Sequence, residues 1–190
     1  MNLPNYITLL RIFLVPIFFG FLTYYSGDRP NFRWLALIIF LIGIATDALD
    51  GLIARSFKKQ TKLGTFLDPF ADKLLLLTGF IGITISNAFA LKPPLWVVIV
   101  IVFRDLFLIC GLVIIFLTTD RIQIRPNLLG KLTTFFQMLT IFVVLAEWRY
   151  SEPIWLATAV FTLLSVVTYL VRGIKLINDP IGKDEHHFLL

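Results

Sequence analysis

Six apolar stretches, Tyr6–Tyr25, Trp34–Phe57, Thr65–Ser86, Leu95–Leu117, Leu129–Ala146 and Ile154–Ile174, follow one another with only short polar connections between them. About 20 apolar residues in a row are enough to cross the hydrocarbon core of a bilayer as a helix. Within that core a chain has to satisfy its own backbone polar groups, and for segments of this length the helix does so. The expected fold is therefore all-α, an integral membrane bundle of six transmembrane helices over residues 1–177 with a cytosolic tail at 178–190. Of 190 residues, 58% are hydrophobic and 15% charged, which leaves no stretch for a separate soluble domain. The first stretch lacks a charged start and a small-residue cleavage site, and it is long enough to stay as a span.

The charged residues sort by connection. Lys58, Lys59 and Lys62 lie between the second and third stretches, just after Arg55; Arg121 and Arg125 lie between the fourth and fifth, with Lys131 just inside the fifth; and Arg172, Lys175 and Lys183 lie at and beyond the end of the sixth. The alternate connections hold Arg29, Arg33, Lys92 and Arg149. Lys and Arg accumulate on the cytosolic side, so both termini are expected there. This topology accounts for the net charge of +5, and no basic stripe with interleaved aromatics points to nucleic acid. Trp34, Trp96, Trp148 and Trp155 fall near span ends, where interfacial aromatics belong. Cys110 is the only cysteine, which rules out an intrachain disulfide and a cysteine metal site. His186 and His187 stand in the tail without a ligand partner near them in sequence, and exposed histidines there need no structural explanation.

The second and third stretches fall short of a full apolar span because acids interrupt them. The segment DALDGLIARSFKKQTKLGTFLDPFAD, Asp47 to Asp72, carries Asp47 with Asp50 and Asp68 with Asp72. Residues three or four apart share a helix face, so each pair forms a stripe, and two facing helices would bring four carboxylates together on the cytosolic side. Burying an ionised carboxylate costs several kcal/mol, roughly, unless it is paired or bound to a cation. Hard divalent cations take oxygen ligands and keep positions open for phosphate oxygens, so Asp47, Asp50 and Asp68 are candidate ligands for Mg2+ or Mn2+ in phosphoryl chemistry. The bland alternative is a set of intramembrane acids neutralised by Arg11, Lys73 or Arg104. Asp68 precedes Pro69, and a residue before proline is pushed away from helical geometry, so the third span is expected to begin with a distorted turn.

Asp47, Asp50, Gly51, Ala54, Arg55, Gly64, Asp68 and Asp72 stand in the order D-x2-D-G-x2-A-R-x8-G-x3-D-x3-D, which resembles the signature of the CDP-alcohol phosphotransferase family. The opening NLPNYITLLRIFLVPIF and the run LDPFADKLL at Leu67 to Leu75 are similar to its phosphatidylglycerophosphate synthase and cardiolipin synthase branches. The resemblance implies transfer of a phosphatidyl group from CDP-diacylglycerol to an alcohol with release of CMP. The acceptor is expected to be glycerol 3-phosphate, with phosphatidylglycerol as the alternative. It further implies two divalent ions held by Asp47, Asp50, Asp68 and Asp72, with Asp72 as general base. The CDP moiety would lie against Asp50, Gly51, Ala54, Arg55, Gly64 and Asp68. Spacing alone leaves the small residues open between helix packing and ligand contact, and Arg55 open between a phosphate, a carboxylate and a cytosolic anchor. The resemblance also implies a homodimer, and the Lys and Arg bias sets the active site on the cytosolic face of what is expected to be a bacterial cell membrane.

The acceptor site is less determined. Neighbouring residues on a helix point different ways, so Arg104 and Asp105 are expected each to find a separate partner. Arg104, Arg125 and Lys131 either form an anion site for the acceptor's phosphate, or Arg104 closes an interhelical ion pair while the others mark the cytosolic face. The glycerol 3-phosphate branch usually resembles Arg-Glu at this point, whereas Arg-Asp is similar to eukaryotic-type cardiolipin synthases. Two other classes compete. A cation transporter or channel would use the acids as a pathway, but it would not need the Gly51, Ala54, Arg55 and Gly64 spacing, and paired broken helices are not in evidence. A non-catalytic scaffold would use the acids only for ion pairs.

Overall fold

Each apolar stretch forms one helix in the computed structural model, which describes the backbone at residues 3–57, 62–118 and 128–178 and the side chains at 8–47, 70–111, 113 and 128–171. In chain order they are α1 (Leu3–Tyr24), α2 (Asn31–Phe57), α3 (Lys62–Ile85), α4 (Leu95–Thr118), α5 (Leu128–Leu145) and α6 (Ser151–Asn178), with no β-strand among the described residues. At 18 to 28 residues they are about 27 to 42 Å long, against a hydrocarbon core of about 30 Å. The segments Leu128–Leu145 and Ser151–Val171 each pass as membrane spans on length and apolar composition alone. The tail from 179 onward, His186 and His187 included, lies outside the described residues.

Two expectations need correction. The helices α3 and α6 run past the apolar boundaries, beginning at Lys62 and ending at Asn178. Backbone hydrogen bonding continues beyond the apolar run until something stops it, which a hydropathy boundary does not register. Nor does α3 open with a break at Asp68 and Pro69, since the backbone is helical throughout Lys62–Ile85. Proline removes its own N–H bond and crowds the carbonyl four residues back, a cost that the packing of α3 on α1 offsets.

The packing order is α1 against α2 and α3, α3 against α4, α4 against α6, and α5 against α6, with α2 and α3 also touching α5. A core of Phe18, Leu22, Phe40, Leu76, Phe80, Ile83, Ile101, Ile141 and Leu145 fills the centre, and the Phe18 and Phe40 rings stack at 5.7 Å. Two glycines let α3 sit close: a Cβ on Gly79 would lie 2.7 Å from Ile141 Cδ1, and one on Gly82 would lie 2.6 Å from Leu22 Cδ1 and 3.0 Å from Leu22 Cβ.

Beside this apolar core a set of polar side chains also faces inward, and many large apolar ones face outward. Thr133, Gln137, Thr140, Thr158, Thr162 and Ser165 are buried, whereas Phe13, Phe103, Phe107, Phe135, Val160 and Leu170 are exposed. Along the α5–α6 seam the Thr140 and Thr158 hydroxyls share a hydrogen bond of 2.6 Å, and Thr133 Oγ1 donates to the Phe161 carbonyl at 3.0 Å. Interhelical bonds of this kind, with small residues at the contact, are how helices associate in lipid.

Three connections meet at one end of the bundle. Tyr25 Oη donates to Glu147 Oε1 at 2.6 Å, and Arg33 Nη1 lies 3.0 Å from Glu147 Oε2 and donates to the Leu145 carbonyl at 3.2 Å. Tyr25 also packs on Phe89 at 4.7 Å between ring centroids. Glu147 has φ of 51°, a left-handed conformation that costs a non-glycine residue energy and is held here by both partners. Joining the α1–α2, α3–α4 and α5–α6 connections at one end makes the bundle alternate in direction, and it leaves Asp47 and Asp72 toward the other end.

Candidate functional site

Toward that other end, α1, α2 and α3 each contribute one charged side chain to a common point. Arg11 of α1 is buried at 1% exposure. Its Nη1 donates to Oδ1 of Asp72 on α3 and lies 3.4 Å from Oδ1 of Asp47 on α2. The carboxylates keep 37% (Asp47) and 25% (Asp72) of their side-chain surface exposed. The two helices thus bring one acid of each pair to a shared guanidinium, with part of each carboxylate open to the surroundings.

The helical register places the rest of the motif. Asp50 follows Asp47 within one turn of α2, and Asp68 precedes Asp72 by one turn of α3. Gly51, Ala54 and Arg55 continue α2, and Gly64 lies near the start of α3. Their side chains, with those of Asp50 and Asp68, lie outside the described ones. Among the described residues no group of three or more metal-ligating side chains is assembled. Asp47 and Asp72 nevertheless fit a divalent cation, since both are hard oxygen donors, partly exposed and directed to one point.

A second charged cluster lies between α3, α4, α5 and α6. Asp105 is fully buried. Its Oδ1 accepts from Lys73 Nζ at 2.9 Å and from Arg104 Nη1 at 2.6 Å, and its Oδ2 accepts from Gln137 Nε2 at 3.1 Å. Lys73 Nζ also reaches Gln137 Oε1 at 3.4 Å, and Arg104 Nη2 donates to Ser165 Oγ at 3.0 Å. Arg104 and Asp105 therefore do pair, contrary to the expectation from their positions. A long guanidinium stem folds back along its own helix when burial leaves few other acceptors for it.

Of the three cations considered as neutralisers, Arg11 bonds the described motif acids, while the bonds of Lys73 and Arg104 go to Asp105, with the Asp72 charge also acting on Lys73. Lys131 is exposed near the start of α5, while Arg125 lies outside the described residues. Sequence reasoning did not foresee Gln137 and Ser165 as partners. The available signal was a glutamine and a serine inside apolar spans, where a polar side chain needs a partner.

Residues 1–171 match the family model described as CDP-alcohol phosphatidyltransferase. The chain belongs to that family. Among curated members it is similar to a CDP-diacylglycerol–glycerol-3-phosphate 3-phosphatidyltransferase of Bacillus subtilis, 38% identical over 153 residues that cover 76% of each chain. It is 33% identical over 174 residues to a probable phosphatidylglycerophosphate synthase of Mycobacterium tuberculosis, covering 91% of this chain and 78% of the relative. A probable CMP-forming cardiolipin synthase of Drosophila melanogaster is 32% identical over 195 residues, covering 90% of this chain and 58% of the relative. The matched region takes in α1 to α5 and most of α6, so the Arg11 site and the Asp105 cluster both lie within the CDP-alcohol phosphatidyltransferase domain.

Proposed function

We propose that this CDP-alcohol phosphatidyltransferase moves a phosphatidyl group from CDP-diacylglycerol to glycerol 3-phosphate, making phosphatidylglycerol phosphate and releasing CMP. The observation that carries the reading is the convergence of Asp47 and Asp72, from the two halves of the motif, on one buried arginine. The names of the Bacillus subtilis and Mycobacterium tuberculosis relatives support the acceptor.

In this reading Asp72 takes the proton from the acceptor hydroxyl as its oxygen attacks the β-phosphorus, and the bond to CMP breaks. Arg11 holds Asp72 by Oδ1 and so fixes where that carboxylate stands relative to the acceptor hydroxyl. Asp50, Gly51, Ala54, Arg55, Gly64 and Asp68 form the surface for the CDP moiety, with Arg55 suited to fork onto a phosphate. Mg2+ or Mn2+ would be held by Asp47, Asp50, Asp68 and Asp72 and, when bound, supplies charge neutralisation to the pyrophosphate. Arg104, Arg125 and Lys131 are assigned to the acceptor's phosphate.

The six helices are proposed to span the membrane with the termini and the motif on the cytosolic side, and two copies to form a dimer. Outward apolar side chains and the distribution of Lys and Arg support the topology. A second reading, cardiolipin synthesis with phosphatidylglycerol as acceptor, draws on the Arg104–Asp105 pair and the Drosophila melanogaster relative. The acceptor is tested by incubating purified protein with CDP-diacylglycerol, Mg2+ and each acceptor separately, and identifying the lipid formed. Phosphatidylglycerol phosphate made from glycerol 3-phosphate is the expected product. Product only with phosphatidylglycerol would transfer the chain to the cardiolipin branch.

A further inference from the structure

Asp72 and Lys73 are adjacent on α3 but are engaged in different directions. Asp72 meets Arg11 on α1, whereas the Lys73 ammonium is bonded to Asp105 on α4 and Gln137 on α5. A lysine stem is flexible, and its ammonium is a compact point charge that pairs with whatever carboxylate it reaches. Neighbouring side chains on one helix do bond in this bundle, as Arg104 and Asp105 show at 2.6 Å.

Asp105 is also costly where it stands. A fully buried carboxylate loses its hydration, and replacing a buried ion pair by apolar residues of similar volume is often neutral or stabilising. Asp105 is the counterion of Lys73 and of the buried Arg104, and its bond to Lys73 also sets which way that ammonium points. Its three bonds, to Lys73, Arg104 and Gln137, gather two cations around one carboxylate and turn the Lys73 ammonium away from the motif.

We propose that Asp105 is a positioning residue: by holding the Lys73 ammonium toward α4 and α5, it keeps that cation off Asp72. The inference rests on Asp72 being the base of the reaction proposed above. Without Asp105, Lys73 would bond the carboxylate that has to receive the acceptor's proton and would add a second cation to the one Arg11 supplies.

The test compares CMP release from CDP-diacylglycerol by the wild type, Lys73→Met, Asp105→Asn and the double variant, in detergent with Mg2+ and glycerol 3-phosphate. Asp105→Asn is expected to lower kcat by about 100-fold, the scale of a misplaced reacting group, with the KM for CDP-diacylglycerol changed little. Lys73→Met stays within several-fold of wild type, and at saturating glycerol 3-phosphate the double variant returns to the kcat of Lys73→Met, because removing the ammonium removes the harm, while loss of the Asp105–Arg104 bond shows in the KM for glycerol 3-phosphate. A purely structural role predicts losses that add. Wild-type kcat in Asp105→Asn, or a double variant no better than Asp105→Asn alone, would overturn the proposal. Should Asp105→Asn fail to fold, the double variant decides: activity equal to Lys73→Met supports the assignment, and inactivity in folded protein defeats it. A wild type that releases no CMP with either acceptor would instead remove the underlying reaction, and that result appears before any variant is made.

Discussion

Arg11 is the residue on which the proposed site turns, because a guanidinium with 1% exposure needs its two carboxylates and they need it. Removing the guanidinium leaves two carboxylates that keep 37% and 25% of their side-chain surface exposed, so the cost falls below the roughly 3 to 5 kcal/mol of a fully buried pair. Arg11→Met is therefore expected to lower the thermal unfolding temperature in detergent, as well as to impair CMP release. Unchanged stability would show that the acids do not depend on it. The spacing of Asp47, Asp50, Asp68 and Asp72 was enough to place one acid of each pair at a common point. The partner was not legible, since Arg11, Lys73 and Arg104 were equal candidates on sequence and only packing assigns them. Asp105 illustrates why. Its bonds come from residues 1, 32 and 32 positions away in the chain, and no local pattern connects Arg104, Lys73 and Gln137 to it.

At the scale of elements, all six helices were legible, four from long apolar runs and α2 and α3 from shorter ones completed by the acidic motif. Their ends were less so, as Lys62 and Asn178 show, since hydrogen bonding rather than hydropathy ends a helix. The close approach of α3 to α1 depends on Gly82, which a sequence reading has no means of separating from Gly20. In the structure they differ sharply: a Cβ on Gly82 collides with Leu22, while one on Gly20 meets nothing within 4 Å. Gly82→Leu should cost about 1 to 3 kcal/mol by overpacking. Gly20→Ala should be neutral or gain about 0.5 to 1 kcal/mol from helix propensity. Thermal unfolding of the two variants side by side checks this contrast, and equal effects would contradict the α1–α3 seam.

At the scale of the whole molecule, the joined connections at one end and the basic ones at the other predict a definite sidedness. In a Cys110→Ser background, a cysteine at Asp28 or Glu152 should react with a membrane-impermeant maleimide added to intact cells. One at Leu128 should react only after permeabilisation. The reverse pattern would invert the proposed topology and place the motif outside the cytosol. Which threonines face inward came only from the fold, because each apolar stretch offers few polar residues to mark one side. The most direct test of the central claim, that the motif acids form the catalytic site with Asp72 as base, is CMP release by the wild type beside Asp72→Asn. The wild type should release CMP from CDP-diacylglycerol in the presence of an acceptor and Mg2+. The variant should elute as folded protein and release CMP at least about 100-fold more slowly. A folded Asp72→Asn that turns over at the wild-type rate would contradict the account.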